Sequence, residues 1–217
     1  REQVRGEHFR PTEHIKLYVV EVKDTPKGPR ITVSRSHPEF VKRLFEEEVT
    51  EIQDGIVTIE SIAREAGSRT KIAVSTVDPN VDAVGACVGM NGSRVNAIVN
   101  ELRGEKIDIV NWSDMPEIFI ENALSPAVVM DVSIDEYEKT ARVIVPENQL
   151  SLAIGKEGQN ARLAARLTGF KIDIKSETQA RESGDFMDYE NDYEEDDYDD
   201  DLSLIHISEP TRLLSIS

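Results

Sequence analysis

The feature that most limits what this chain can become is a unit that occurs twice. In the first copy a short apolar segment ends at Val88, a glycine loop follows (Gly89-Met90-Asn91-Gly92), and an amphipathic helix begins at once. Its apolar residues Val95, Ile98, Val99 and Leu102 fall at i, i+3, i+4 and i+7, the spacing of one helical face. Gly104 stops that helix, and Ile107 and Ile109 open a strand leading to Trp112. The second copy, LAIGKEGQNARLAARLTGFKIDIK, places Gly155-Lys156-Glu157-Gly158 after an apolar run and before a helix stopped by Gly169. Gly89 to Gly155 is 66 residues, Ile107 to Ile172 is 65 and Pro79 to Pro146 is 67. A lone Gly-x-x-Gly carries little weight, because chance placement of the glycines gives about 0.7 such pairs. Self-similarity at a steady period marks a duplicated structural unit.

The chemistry of such a loop follows from its backbone. A helix that ends on Gly-x-x-Gly and restarts leaves free N–H groups at the new N-terminus, where the helix dipole is positive, so the site suits a phosphate. Glycine matters because a Cβ would hold a sugar-phosphate chain off the backbone. Arg94, Lys156 and Arg162 lie in or just after the loops and can pair with phosphates, although each also fits a solvated helix surface. Glu157 repels phosphate, so it is expected to point away or to accept a hydrogen bond from a base.

The chain's net charge of −17 looks wrong for a nucleic-acid binder, but it is unevenly spread. Asp185 to Asp201 holds eleven acids and no base, whereas residues 1–184 hold 24 Lys and Arg against 30 Asp and Glu, a net of −6. The body is therefore mildly acidic and can still carry basic patches. The single cysteine, Cys87, excludes an internal disulfide, fits a reducing cytosol and reads most simply as a small buried apolar residue. No apolar run approaches the ~18 residues of a membrane span, and no signal peptide is present. The chain begins at Arg1 rather than Met and reads as a piece of something longer.

In order, residues 14–22 and 30–34 read as two strands about a Pro/Gly turn at 24–29. Two strands cannot form a stable domain alone, so residues 1–36 are expected to be the last hairpin of a small β-barrel. Residues 37–49 read as a helix capped by Ser36, with Pro38 at its first position and Phe40, Val41, Leu44, Phe45 and Val49 on its apolar face. Strands at 56–62 and 70–74 flank a turn at 66–68, and the glycine-loop unit completes an α-β-β-α-α-β order. The second copy repeats it: a helix at 116–123 with Ile118, Phe119 and Ile120, strands at 127–134 and 140–145, a short helix at 149–154, then loop, helix and a strand at 170–174. Ala161, Ala164, Ala165 and Thr168 stand where the first copy has Val95, Ile98, Val99 and Leu102. That smaller face allows either closer packing against a neighbour or room for a base. The fold class is α+β, with domains at 1–36, 37–113 and 114–176.

Residues 177–201 cannot bury a core and are expected to be disordered, as a solubilising tail or as an acidic mimic that competes for an RNA groove. Residues 202–217, LSLIHISEPTRLLSIS, resemble the translated read-through of a short-read sequencing adapter, with a docking peptide as the alternative. They are set aside from the fold.

Two α-β-β-α-α-β units with Gly-x-x-Gly between paired helices resemble K-homology (KH) domains of the prokaryotic, type II ordering. In that module the loop clamps about four nucleotides and the bases lie over an apolar groove. The groove contributors are then Val88, Val95, Ile98 and Ile107 in one copy, and Ile154, Ala161, Ala164 and Ile172 in the other. Residues 64–74 (REAGSRTKIAV), 82–95 (DAVGACVGMNGSRV), 105–110 (EKIDIV) and 154–164 (IGKEGQNARLA) further resemble signature stretches of the bacterial NusA family of transcription elongation, termination and antitermination factors. The resemblance covers about residues 1–180. It implies an OB-type RNA-binding barrel, of which residues 1–36 hold the end, ahead of two KH domains. It also implies RNA contacts at Gly89, Met90, Asn91, Gly92 and Arg94, and at Gly155, Lys156, Glu157, Gly158, Asn160 and Arg162. The implied partners are single-stranded nascent RNA, RNA polymerase through a domain this chain lacks, and other antitermination factors. A cytoplasmic monomer without cofactor or membrane contact is expected. The two units, joined only by 111–115, are expected to pack together and bind one continuous strand, which raises avidity.

An enzyme is the main rival class. His8, His14, His37 and His206 form no metal spacing, and no Walker-type G-x-x-x-x-G-K-[ST] is present. Polynucleotide phosphorylase joins one KH domain to an OB barrel in the opposite order, and KH-containing ribosomal proteins are usually strongly basic. Both stay as alternatives at this point.

Overall fold

A computed structural model of the chain describes residues 3, 4 and 6–184. Strands β1 (Tyr18–Thr25) and β2 (Gly28–Ser34) form an antiparallel hairpin. The turn is tighter than the Pro/Gly composition suggests: Asp24, Thr25, Gly28 and Pro29 are all paired, leaving only Pro26 and Lys27 between the strands. The hairpin's apolar residues Val19, Val20, Val22, Ile31 and Val33 remain exposed, so it supplies no core of its own.

Helix α1 (Pro38–Glu48) follows, and its cap differs from expectation. His37, not Ser36, takes the N-cap position: its Nδ1 accepts from the Glu39 N–H at 3.1 Å. Ser34 Oγ instead accepts from the Ser36 and His37 N–H groups. Phe40, Val41, Leu44, Phe45 and Val49 are buried as the periodicity requires. After the single turn α2 (Thr50–Gln53) come β3 (Val57–Glu65), β4 (Arg69–Thr76), α3 (Ala83–Val88), the first glycine turn, α4 (Ser93–Glu101) and β5 (Lys106–Asn111). The sheet order is β3-β4-β5, with β3 antiparallel and β5 parallel to the central strand. Its inner face, including Ile59, Ile72 and Val74, packs with α1, Cys87, Ile98 and Leu102 into one core. Burial and nearby charges push the Cys87 thiol up to about 11, which keeps it protonated and inert.

The second unit repeats the plan. Helix α5 (Pro116–Ala123) buries Phe119, Ile120 and Ala123 but leaves Ile118 exposed, one residue off the expected face. Strand β6 is Asp131–Asp135, shorter than the 127–134 apolar run suggests. The chain reaches it through the Ser125–Pro126 peptide; Val128 stays exposed ahead of the strand, and Met130, also exposed, donates its N–H to Ile144 O of the next strand at 2.9 Å. Then come β7 (Thr140–Val145), α6 (Leu150–Ile154), the second glycine turn, α7 (Gln159–Thr168) and β8 (Lys171–Ser176). Sheet order β6-β7-β8 has the same mixed pairing as the first sheet.

Residues 177–182 were expected to be disordered; they form helix α8 (Glu177–Glu182). The reason is a capping box: Ser176 Oγ accepts from the Gln179 N–H while Gln179 Oε1 accepts from the Ser176 N–H. Ala180 on this helix is buried. The acidic run from Asp185 and residues 202–217 lie outside the described residues.

The two units share a core. Ala63, Ala73 and Val110, from the outer face of the first sheet, cluster with Phe119, Ile120 and Ala123 of α5 and with Leu163, Ala164 and Leu167 of α7. Of the smaller face of α7, Ala164 lies in this shared core, while Ala161, Ala165 and Thr168 stay half-buried. The alternative, a face left open for a base, does not hold for Ala164, which is fully buried.

Candidate nucleic-acid interface

The two glycine turns are superposable in backbone. Gly89 and Gly155 have φ/ψ of 74°/171° and 76°/173°. Asn91 and Glu157 are left-handed at 51°/29° and 54°/26°, and Gly92 and Gly158 follow at 75°/15° and 73°/16°. Each turn thus needs glycine at both ends for positive φ. Space requires it too. A Cβ on Gly89 would meet Arg94 Cγ at 2.8 Å, and one on Gly155 would meet Asn160 Cβ at 2.8 Å and its backbone nitrogen at 2.9 Å.

Hydrogen bonding leaves the same donors open in both. Gly89 N–H donates to Gly85 O and Gly92 N–H to Gly89 O; Gly155 N–H donates to Ser151 O and Gly158 N–H to Gly155 O. Among the described residues, no acceptor is found for the N–H groups of Met90 and Asn91, or of Lys156 and Glu157. These four residues are exposed, Met90 to 83%. Such an outward pair of amides at the start of a nine- or ten-residue helix is suited to an anion.

The side chains named from the sequence divide into two groups. Met90, Asn91, Lys156 and Glu157 form the exposed tips. Arg94 and Asn160, which occupy equivalent positions, lie beneath their turns as braces. Arg94 Nη1 donates to Ala86 O at 2.6 Å and to Glu51 Oε2 at 2.8 Å. Asn160 is 2% exposed, and its Nδ2 donates to Leu124 O and Ala153 O, both at 3.0 Å. Arg162 is also engaged: Nε donates to Glu65 Oε1 at 2.6 Å and Nη1 to Glu157 O at 3.1 Å.

Of the groove contributors, Val88, Val95, Ile107, Ala161 and Ile172 are half-buried, and Ile154 is exposed. Ile98 and Ala164 are buried and belong to the core. A cleft of about 420 Å³ beside the second turn is walled by Lys156, Glu157, Gln159 and Arg162 on one side and by Glu65 to Ser68 of the β3–β4 turn on the other. Sequence reasoning missed the contribution of Glu65 and Ser68. They stand more than 90 residues from the side chains they meet, and no local pattern encodes that approach.

Comparison with known proteins bears on the same residues. Residues 35–112 match the profile of the NusA-like first KH domain, and residues 116–182 that of the NusA-like second KH domain. The chain belongs to the NusA family. It is 62% identical over 196 residues to the transcription termination/antitermination protein NusA of Bacillus subtilis (strain 168), an alignment spanning 90% of this chain and 52% of that protein. Against the NusA of Mycobacterium bovis it is 54% identical over 177 residues, 81% of this chain and 51% of the relative. Against that of Thermus thermophilus it is 49% identical over 171 residues, 79% and 44%. The chain therefore spans about half the length of the NusA proteins it matches. The tandem NusA-like KH pair sets aside the polynucleotide phosphorylase and ribosomal-protein alternatives. No helix among the described residues is long and apolar enough to cross a membrane.

Proposed function

We propose that this chain is the RNA-holding part of a cytoplasmic, non-enzymatic transcription factor that modulates pausing, termination and antitermination. Each turn, Gly89–Gly92 and Gly155–Gly158, clamps the backbone of a single RNA strand, with bases laid over the neighbouring apolar groove. The observation that carries this reading is the identity of the two turns in dihedral angle and in which amides they leave without an acceptor. A non-glycine residue held at positive φ in both turns, with the same two free donors beside it, supports a binding role for each. The partners assigned by this reading are single-stranded nascent RNA and, outside the two KH units, RNA polymerase and other antitermination factors. Residues 1–36, with their bare apolar hairpin, fit as the end of an OB-type barrel that completes elsewhere in such a protein.

Lys156 is the one cationic tip residue, so it carries the electrostatic share of the clamp. The test is affinity for a single-stranded oligoribonucleotide across a salt series. Lys156→Ala is expected to weaken binding and to reduce the slope of log affinity against log salt by about 0.7, the value for one phosphate contact on a single strand. Placing Asp at both Met90 and Asn91, or at both Lys156 and Glu157, is expected to weaken binding more, with the fold retained. If both double variants bind as tightly as the parent, the clamp assignment fails.

A further inference from the structure

The two turns match in backbone but not in what supports them. Beneath the second, the Arg162 guanidinium joins three elements. It donates to the carbonyl of Glu157, the left-handed residue of the turn, and to both carboxylate oxygens of Glu65 on the first unit. Gln159, at the start of α7, donates from the same side to Glu65 Oε2 at 2.9 Å and to Ser68 Oγ at 2.7 Å. Arg166 adds a longer pairing with Glu65 at 3.6 Å. Glu65 is thus saturated, and its side chain is only 21% exposed. In the first unit the equivalent of Arg162 is Asn96, 66 residues earlier. Among the described residues, no hydrogen bond joins Asn96 to the Asn91 carbonyl, and none joins the second unit to that turn.

We infer that Arg162 and Glu65 are positioning residues for the second clamp: through them, docking of the first KH unit fixes the shape of the Lys156–Glu157 turn, and neither side chain binds phosphate itself. The inference rests on the clamp reading above and changes one assignment within it, since Arg162 reads from sequence as a phosphate partner. Three observations carry it. The Arg162 guanidinium spends three of its five N–H donors, the bidentate Nε/Nη2 edge included, on a main-chain carbonyl and a carboxylate, which fixes its orientation towards the turn. The carbonyl it holds belongs to a non-glycine residue at φ 54°, a conformation that needs outside support. The carboxylate comes from the other unit, so the support exists only when the two are docked.

The test uses the full chain with Arg162→Met, Glu65→Gln and the pair combined. Lys156→Ala serves as the control for the clamp itself. Without RNA, both single variants are expected to speed amide hydrogen exchange at Gly158, whose N–H donates to Gly155 O, while leaving Gly92 of the first turn unchanged. With a single-stranded oligoribonucleotide, each is expected to lower affinity about fivefold, the loss of one supporting hydrogen bond. The salt slope is expected to stay at the parent value, and the double variant to be no worse than either single. A salt slope flattened by Arg162→Met, or tighter binding by Glu65→Gln, would make Arg162 a phosphate ligand that Glu65 restrains, and would overturn the inference. Unchanged exchange and affinity in both would also overturn it, while the effect of Lys156→Ala would leave the clamp standing. Loss of the Lys156 effect would instead bring down the clamp reading on which this rests.

Discussion

The two sheets of the molecule have the same order and the same mixed pairing, yet their outer faces have opposite fates. In the first sheet the row Ala63–Lys71–Asp108 lies under the helices of the second unit, and Lys71 is fully buried. Its ammonium donates to Ser125 O at 2.8 Å and pairs with Asp108 at 3.2 Å, beside the Arg69–Asp108 bridge. Burial lowers the Lys71 pKa, against the pull of Asp108. In the second sheet the equivalent row is Ser133–Arg142–Asp173, and Arg142 is exposed. Two residues further along β4 stands Ala73, small enough for a helix to approach; the matching residue of β7 is Ile144, on a strand that packs against α8. Duplication thus copies the inner face, which every such unit needs. The outer face is set by what docks there.

The sharpest way to break this comparison is to truncate the two matched cations. Lys71→Ala is expected to cost about 3 kcal/mol in denaturant unfolding, because it leaves a cavity, an unpaired Ser125 carbonyl and a partly orphaned Asp108. Arg142→Ala is expected to stay within about 0.5 kcal/mol, as for an exposed site. Equal costs would mean that the covered and open faces do not differ energetically.

Alanine at the first glycine of each turn sharpens the comparison at the site itself. Both variants force a side chain into positive φ, but Gly155→Ala also meets backbone, whereas Gly89→Ala meets the flexible Arg94 chain. Losses of about 3 and about 2 kcal/mol are expected, read from thermal unfolding. The reverse order would show that Arg94 is the less yielding neighbour.

The link between the units has a pH signature. Hydrogen bonding to Arg162 holds the Glu65 carboxyl at about 2 in the folded chain, against an ordinary 4.5. Its contribution is therefore fully present above pH 4.5 and is lost as the pH falls towards 2. Arg162→Met is expected to be less stable than the parent at pH 6 and to converge with it near pH 2, read from denaturant unfolding. A constant difference across that range would place the stabilisation elsewhere. The smallest effect is expected from Glu157→Asn, which puts a residue tolerant of left-handed backbone where its equivalent Asn91 already stands: a gain of about 0.5 kcal/mol in unfolding experiments.

Much of the fold was legible because local signals agreed. Alternating strands, helical spacing at Val95 to Leu102 and the repeat of about 66 residues all pointed to two α-β-β-α-α-β units. The misses had local causes. Asn160 is an RNA contact by the family resemblance, yet its side-chain amide is spent on two carbonyls below the turn. The apolar run 127–134 reads as one strand, but its first part follows a proline and stays outside the ladder. Helix α8 hides in a polar stretch whose Ser-x-x-Gln cap is the only cue. The partnership of Glu65 with Arg162 could not be read at all, because it depends on how two separately encoded units dock.

The central claim is that both turns hold RNA through exposed amides. The most direct measurement is an amide chemical-shift titration of the isotope-labelled chain with a single-stranded oligoribonucleotide of about 12 nucleotides, long enough for two four-nucleotide clamps and the strand between them. The account predicts the largest shifts at Met90 and Asn91 and at Lys156 and Glu157, with the Ser133–Arg142–Asp173 row silent. Shifts concentrated on that row, with both turns unmoved at saturation, would contradict it.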